Sequence, residues 1–103
     1  MSRTYEMDVT VTGVPEDRAD LVIEACCEEW GFDRDSLWQV RDSDNGLATI
    51  SMQGIESLCG GESEGEFATR LADAVWVANN GRCRVEVRAT CLDEIPSEMY
   101  IRE

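Results

Sequence analysis

Residues 5–15, with the sequence YEMDVTVTGVP, decide how the fold begins. Apolar side chains occupy alternate positions from Tyr5 to Val11 and polar ones lie between them, which is typical of a strand with one buried face. The next residues, GVP, predict a turn. Glu16 and Asp17 follow, where acidic side chains favour the positive end of a helix. The stretch therefore predicts a strand, a turn and the start of a helix.

The apolar residues after this start have the spacing of one helix face. They are Ala19, Val22, Ile23, Cys26 and Trp30. Gly31 predicts the end of the helix. Residues 36–41 and 47–53 are apolar-rich and flank the sequence DSDNG, in which Asn-Gly is a strong hairpin signal. A helix followed by a two-stranded hairpin is therefore expected.

A second helix is predicted from Ser63 and Glu66, which have the spacing of a capping box. Its apolar face is expected to contain Phe67, Leu71, Ala74, Val75 and Ala78, and the sequence NNG at 79–81 is expected to end it. Residues 82–90 alternate again and predict a strand. Pro96 predicts a break, and residues 99–101 predict a short edge strand.

The predicted order β-α-β-β-α-β indicates a single α+β domain over residues 1–103. We expect a ferredoxin-like two-layer sandwich, with two helices on one face of an antiparallel sheet. On the open face of that sheet, Glu6 and Asp8 are expected to pair with Arg84 and Arg88 across the strands. This architecture occurs with many unrelated functions, so it does not decide the function.

The charge of the chain restricts the class of partner. It contains 22 acidic and nine basic residues, all nine of them arginine, and its net charge is -13. Such a charge opposes direct contact with nucleic acid or an anionic membrane and favours a basic protein or nucleoprotein complex. The apolar stretches are too short to span a bilayer, and the first residues lack the apolar region of a signal peptide. Five scattered cysteines then predict free thiols and a cytoplasmic location.

The candidate partner-binding surface is a row of acids on the first helix. Glu16, Asp20, Glu24 and Glu28 recur at every fourth residue beside Asp17, with Leu21 as an outward apolar anchor and Arg18 expected on another side. This row either contacts a basic partner in place of a phosphate backbone or is a solvated helix face. Trp76 is predicted to point outward from the second helix, where it forms an interface or is covered by the C-terminal tail.

No pattern in the chain predicts catalysis, a cofactor or a bound metal. Adjacent Cys26 and Cys27 do not have the spacing of zinc ligands, and the sequence contains no histidine. Cys59 precedes a Gly-Gly loop among acidic residues that oppose formation of a thiolate, whereas Cys26 and Cys83 fit as core residues. Residues 42–53 begin like a calcium loop, but Gln53 stands where a glutamate is required. A non-enzymatic protein is therefore expected.

Residues 74–96, AVWVANNGRCRVEVRATCLDEIP, resemble a stretch found in small uncharacterised proteins of phages and conjugative elements. The size and acidity of the chain are similar to those of anti-CRISPR and other DNA-mimic inhibitors. These resemblances imply an inhibitor from a mobile element that binds the basic nucleic-acid-binding surface of a host defence complex. Separately, we expect the α+β domain to be monomeric or weakly dimeric. The alternative is a ferredoxin-like regulatory module that dimerises or binds a small ligand through its sheet or Trp76.

Overall fold

The computed structural model describes residues 3–42, 46–58, 62–91 and 94–103. It is an α+β structure in which two helices cover one face of an antiparallel sheet. Its elements are β1 (Arg3–Pro15), a 3₁₀ turn (Glu16–Arg18), α1 (Ala19–Glu29), β2 (Phe32–Asp42), β3 (Leu47–Leu58), α2 (Glu64–Asn79), β4 (Arg84–Cys91) and β5 (Glu94–Arg102). Within the described residues the five strands lie in the order β2-β3-β1-β4-β5.

The first strand is longer than predicted because it continues through a β-bulge. The register between β1 and β3 shifts between Thr12 and Val14, and Gly13 has a φ of +82°. Glycine adopts this left-handed conformation without the steric penalty of a Cβ atom. The turn predicted at residues 13–15 is therefore a bulge within β1. The chain leaves the strand after Pro15, and α1 begins only at Ala19.

Strands β2, β3 and β5 also exceed their predicted bounds, whereas β4 starts two residues after the predicted start at 82 and ends one residue after the predicted end at 90. β2 begins at Phe32 and β3 continues to Leu58, so the hairpin is longer than residues 36–53. The predicted break at Pro96 is wrong, since β5 runs from Glu94 to Arg102 along β4. The register of that pair is irregular between Ala89 and Cys91, which is where Pro96 falls on the partner strand. Proline is tolerated there because an edge strand has unpaired backbone positions and a bulge interrupts the hydrogen bonds.

The predicted core faces of β1 and α1 are confirmed. The predicted apolar residues of both elements are buried, and they are Tyr5, Met7, Val9, Val11, Ala19, Val22, Ile23, Cys26 and Trp30. On α2, Phe67, Leu71 and Val75 are buried as predicted, but Ala74 and Ala78 are only half-buried. Ala68 and Ala72 are buried in their place, so the α2 face that meets the sheet is rotated from the predicted one.

Trp30 connects α1, α2 and the sheet. Its ring meets that of Phe67 edge-on with a centroid separation of 4.8 Å, and its indole N–H donates to the carbonyl oxygen of Gly54 at 3.0 Å. The backbone passes very close at this point, because a Cβ atom on Gly54 would lie 2.5 Å from the carbonyl oxygen of Gly31. A glycine at position 54 therefore allows the segment after α1 to lie directly against β3.

Both ends of α2 are capped as the sequence predicts. The hydroxyl of Ser63 accepts a hydrogen bond from the backbone N–H of Glu66 at 3.2 Å. At the other end Asn80 has a φ of 57°, and the N–H of Gly81 donates to the carbonyl oxygen of Trp76 at 3.0 Å. These contacts satisfy backbone groups that a helix end leaves without partners. They hold α2 at a defined length beside α1.

Candidate partner-binding surface

The predicted acidic row is divided between two elements. Glu16 and Asp17 lie in the 3₁₀ turn, whereas Asp20, Glu24 and Glu28 lie on α1. All five side chains are exposed. The members on α1 remain about 6 Å apart along the helix axis, because four residues rise by that distance. The structure thus keeps the row on the surface, but its first two members lie outside the α-helix.

The ion pairs of arginine side chains that the structure describes are made with acids outside this row. None of the five acids forms an ion pair with another described residue. Arg70 instead pairs with Glu29 at 2.5 Å and with Glu62 at 2.9 Å, and Arg84 pairs with Glu86 and Glu103. The acids of the row therefore face solvent without an ion-pair partner among the described residues.

A groove between α1 and α2 borders the row and has a volume of about 630 Å³. Leu21, predicted as an outward anchor, lines this groove and is 46% exposed. Val77 of α2 also lines it and is 82% exposed. Arg18, in the 3₁₀ turn before α1, also lines this groove together with Glu24. Sequence reasoning missed Val77, although its position beside the apolar face of α2 was a usable signal.

Trp76 is half-buried and packs against the core. Its indole N–H donates to the carbonyl oxygen of Cys83 at 2.8 Å, and the guanidinium carbon of Arg82 lies 4.9 Å from the ring centroid. The indole is thus less outward than predicted, because the segment following α2 folds back over it. The ring is a poorer anchor for a partner than Leu21 or Val77.

Burial opposes ionisation of two cysteine side chains in the described residues. Burial raises the pKa of Cys26 from its ordinary value of 9.0 to about 12, and nearby negative charges act in the same direction. Burial also raises the pKa of Cys83. Because a thiolate is the reactive form, neither residue is activated as a nucleophile. Cys59 lies outside the described residues. In the described ranges, no three histidine, cysteine or acidic side chains are grouped as metal ligands would be.

The opposite face of the molecule is the open side of the sheet. Six large apolar side chains are exposed in the described parts of the chain, and four of them lie on or beside this face: Trp38, Ile55, Met99 and Ile101. Sequence reasoning did not single out Trp38 or Ile55. A tryptophan in a strand beside a hairpin was an available signal, but its exposure depends on β2 being an edge strand.

None of the cross-strand ion pairs predicted on this face is formed among the described residues. Asp8 faces Arg88 in the register of β1 and β4, but the described residues contain no ion pair between them. Arg84 faces Thr12 and pairs along its own strand with Glu86 at 2.7 Å. Glu6 accepts a hydrogen bond from the side-chain amide of Gln53. The register thus brings Asp8 opposite Arg88 as predicted, whereas Glu6 faces Thr90.

Neither helix of the described chain has the length and apolar character needed to cross a bilayer. Comparison of the chain with protein families, with curated proteins and with solved structures gave no match. No functional residue is therefore carried over from another protein. The candidate surface depends on the geometry and charge described above.

Proposed function

We propose that this protein is a non-enzymatic acidic inhibitor from a mobile genetic element, which binds a basic nucleic-acid-binding surface of a host defence complex through its helical layer. This layer is residues 16–29 and 62–79. In this proposal the protein acts as anti-CRISPR and other DNA-mimic inhibitors do, by occupying the surface that nucleic acid requires. The fold that we propose for it is a ferredoxin-like sandwich, extended by β5 at one edge. The strand order β2-β3-β1-β4 supports that assignment.

The observation that carries the proposal is the unpaired acidic row. The helical layer contains ten of the 22 acidic residues and two of the nine basic ones. The one arginine on α2, Arg70, is engaged with Glu29 and Glu62 rather than with the row. Like charges at every fourth residue destabilise a helix by about 0.2–0.5 kcal/mol per pair. A row that opposes helix stability is better explained by a binding role than by folding.

A strongly negative surface acts in two ways: it steers association with a basic partner, and it then occupies the partner's binding surface. A strongly negative face accelerates association with a basic surface, and both the rate and the affinity fall as salt screens the charges. A bound acidic helix then excludes phosphate from the arginines and lysines that it covers. No proton transfer or covalent step is required. The protonated buried thiols and the sequence without histidine are consistent with this mechanism.

Reversal of two charges in the row tests the proposal. Asp20→Lys combined with Glu24→Lys is expected to abolish capture of basic nucleic-acid-binding complexes and protection of a phage or plasmid from host defence. The matched control is Asp35→Lys combined with Glu56→Lys, which changes the net charge equally at exposed positions on β2 and β3. The control is expected to retain activity. Equal loss in both variants would indicate a net-charge effect, and full activity in the first would contradict the assignment of the row.

The alternative function is supported by the open sheet face. The central strands β3, β1 and β4 place three acids and two arginines there, so the central part of this face is close to neutral in a chain of charge -13. Two copies repel each other least when such faces meet, and Trp38, Ile55, Met99 and Ile101 supply apolar contact. The alternative is therefore a regulatory module that dimerises through its sheet. Sedimentation velocity over a concentration series tests it, since Ile55→Glu should abolish a sheet-mediated dimer.

A further inference from the structure

We propose that the groove between α1 and α2 is a docking site for a basic amphipathic helix. This inference rests on the function proposed above and identifies the partner element that the acidic face receives. The geometry that points to it is a groove lined both by apolar side chains, here called its floor, and by acidic side chains, here called its rim. The groove has a volume of about 630 Å³, and its lining is contributed by both helices.

The floor of the groove is built from small and medium apolar side chains. Leu21 and Ala25 contribute from α1, and Ala74, Val77 and Ala78 contribute from α2. Leu21 and Ala25 lie four residues apart, and Val77 and Ala78 lie three and four residues after Ala74, so each set lies along one side of its helix. Alanines permit close approach of another helix, while Leu21 and Val77 remain exposed as contacts for apolar side chains. A third helix with an apolar stripe fits such a floor.

The rim of the groove selects the charge of the occupant. Glu24, Glu28 and Asp73 line it, and none of them forms an ion pair with a residue in the described ranges. Arg70 also lines the groove but is engaged by Glu29 and Glu62. Arg18 is the other basic side chain of the lining. Three free carboxylates and one free guanidinium favour lysine and arginine beside the apolar stripe of the occupant.

The charge density of the acidic row is lower than that of the nucleic acid that it would replace. One acid about every 6 Å along α1 is roughly half the charge density of a single DNA strand, which carries one charge per about 3.4 Å. The row therefore presents fewer charges per unit length to a basic surface than nucleic acid does. Apolar contact in the adjacent groove supplies affinity that nucleic acid does not provide, and it makes binding less sensitive to salt.

Two synthetic peptides of identical composition test the docking site. One is a lysine- and leucine-rich helix of about 16 residues with leucine at every third or fourth position, long enough to follow α2 for about 24 Å. The other has the same residues in scrambled order, without an apolar stripe. Titration of each into the full-length protein at about 0.15 M salt, followed by fluorescence anisotropy, is expected to show binding of the amphipathic peptide at least about tenfold tighter.

Neutral substitutions in the floor distinguish the apolar contribution to peptide binding from the electrostatic one. Leu21→Gln combined with Val77→Gln is expected to remove the tenfold preference and to leave weak binding of the scrambled peptide unchanged. Ile55→Gln combined with Ile101→Gln is the matched control, because it removes two exposed apolar side chains from the sheet face. Circular dichroism checks that each variant folds. The control is expected to bind both peptides as the unsubstituted protein does.

The outcomes distinguish this proposal from the one on which it rests. Equal affinity for the two peptides overturns the groove and leaves a purely charge-based function in place. Loss of the preference in the sheet-face control also overturns the groove, since the apolar contact then lies on the other face. The titration is also repeated at low salt. Failure of both peptides to bind there overturns the groove and contradicts the charge-based function as well.

Discussion

The helical layer and the open sheet face carry opposite kinds of surface, although the same core supports both. The helical layer holds ten acidic residues against two arginines, and the acids of its row have no ion-pair partner among the described residues. The central strands of the sheet face place Glu6, Asp8 and Glu86 beside Arg84 and Arg88. Much of the net charge of the chain therefore lies on the helical layer, so a basic partner is attracted to this face rather than to the sheet face.

The two faces also differ in how their apolar side chains are arranged. Leu21 and Val77 lie together in one groove between the helices. On the sheet face, Trp38 lies on β2 and Ile101 lies on β5, with three strands between them. A compact groove favours one narrow partner element, whereas apolar side chains at separate edges favour a broad flat contact. Variants that act on one face alone are therefore the sharpest tests.

The largest effect is expected where both faces depend on the same residue. Phe67 is fully buried and contacts Trp30 and the core. Phe67→Ala should lower the free energy of unfolding by about 3–5 kcal/mol and impair both faces. Val77→Ala, at an exposed position on the same helix, should change it by less than about 0.5 kcal/mol. Urea denaturation measures both. A comparable cost for the two variants would mean that the core does not lie where the structure places it.

The next effect concerns alkaline pH, where ionisation of the Cys26 thiol, which is buried in the folded protein, lowers the free energy of unfolding. The pKa of Cys26 is about 12 in the folded protein and 9.0 in an ordinary thiol. Between these values the folded state keeps a proton that the unfolded chain has released, so stability is retained below pH 9 and falls as pH rises toward 12. The slope is at most about 1.4 kcal/mol per pH unit.

Urea denaturation at several pH values follows this loss. Cys26→Ala should remove the part of the slope that arises from this thiol, and the other alkaline groups remain as the background. An unchanged slope in the variant would show that Cys26 ionises as readily in the folded protein as in the unfolded chain.

A smaller effect separates the paired arginine of the helical layer from an unpaired one on the sheet face. Arg70→Gln breaks the contacts with Glu29 and Glu62 and should lower stability by about 0.5–1 kcal/mol, because exposed ion pairs are weak. Arg88→Gln is the matched substitution on the sheet face, where Arg88 forms no ion pair within the described part of the chain. It should have no measurable effect. Equal costs would show that the two faces do not differ in charge pairing.

The smallest effect is the response to salt. Repulsion within the acidic row is screened over about 10 Å at 0.1 M ionic strength, so the melting temperature should rise between low and moderate sodium chloride. Asp20→Lys combined with Glu24→Lys should raise stability at low salt by a few tenths of a kcal/mol and reduce this rise. Differential scanning calorimetry follows both changes. A melting temperature that is flat or falls with salt would indicate that the acids are compensated locally.

Much of the fold was predictable because the spacing of apolar residues along a strand or helix indicates which positions are buried. The alternation in β1 and the helical spacing from Ala19 to Trp30 identified residues that are all buried. Strand lengths were not predictable in the same way. The bulge at Gly13 and the irregular pairing around Pro96 resemble strand ends in the sequence, and only pairing with neighbouring strands carries the chain through them.

The candidate surface was predicted in part for a related reason. The exposed positions of Asp20, Glu24 and Glu28 follow from their spacing on one helix. The groove beside them is formed by two helices that are distant in sequence, so no local pattern in either one contains it. The rotation of α2 that buries Ala68 and Ala72 leaves Ala74 and Val77 toward the groove, and this rotation arises from packing.

The sequence by itself determined the α+β class, the inward faces of β1 and α1, and the strong negative charge, because these depend on composition and short-range periodicity. Only the tertiary structure decided which acids lack partners, since ion pairs such as that between Arg70 and Glu29 join residues far apart in the chain. It also decided that Leu21 and Val77 share one groove while Trp38 and Ile101 lie at opposite edges of the sheet. Those arrangements depend on long-range packing and strand order, which no local pattern encodes.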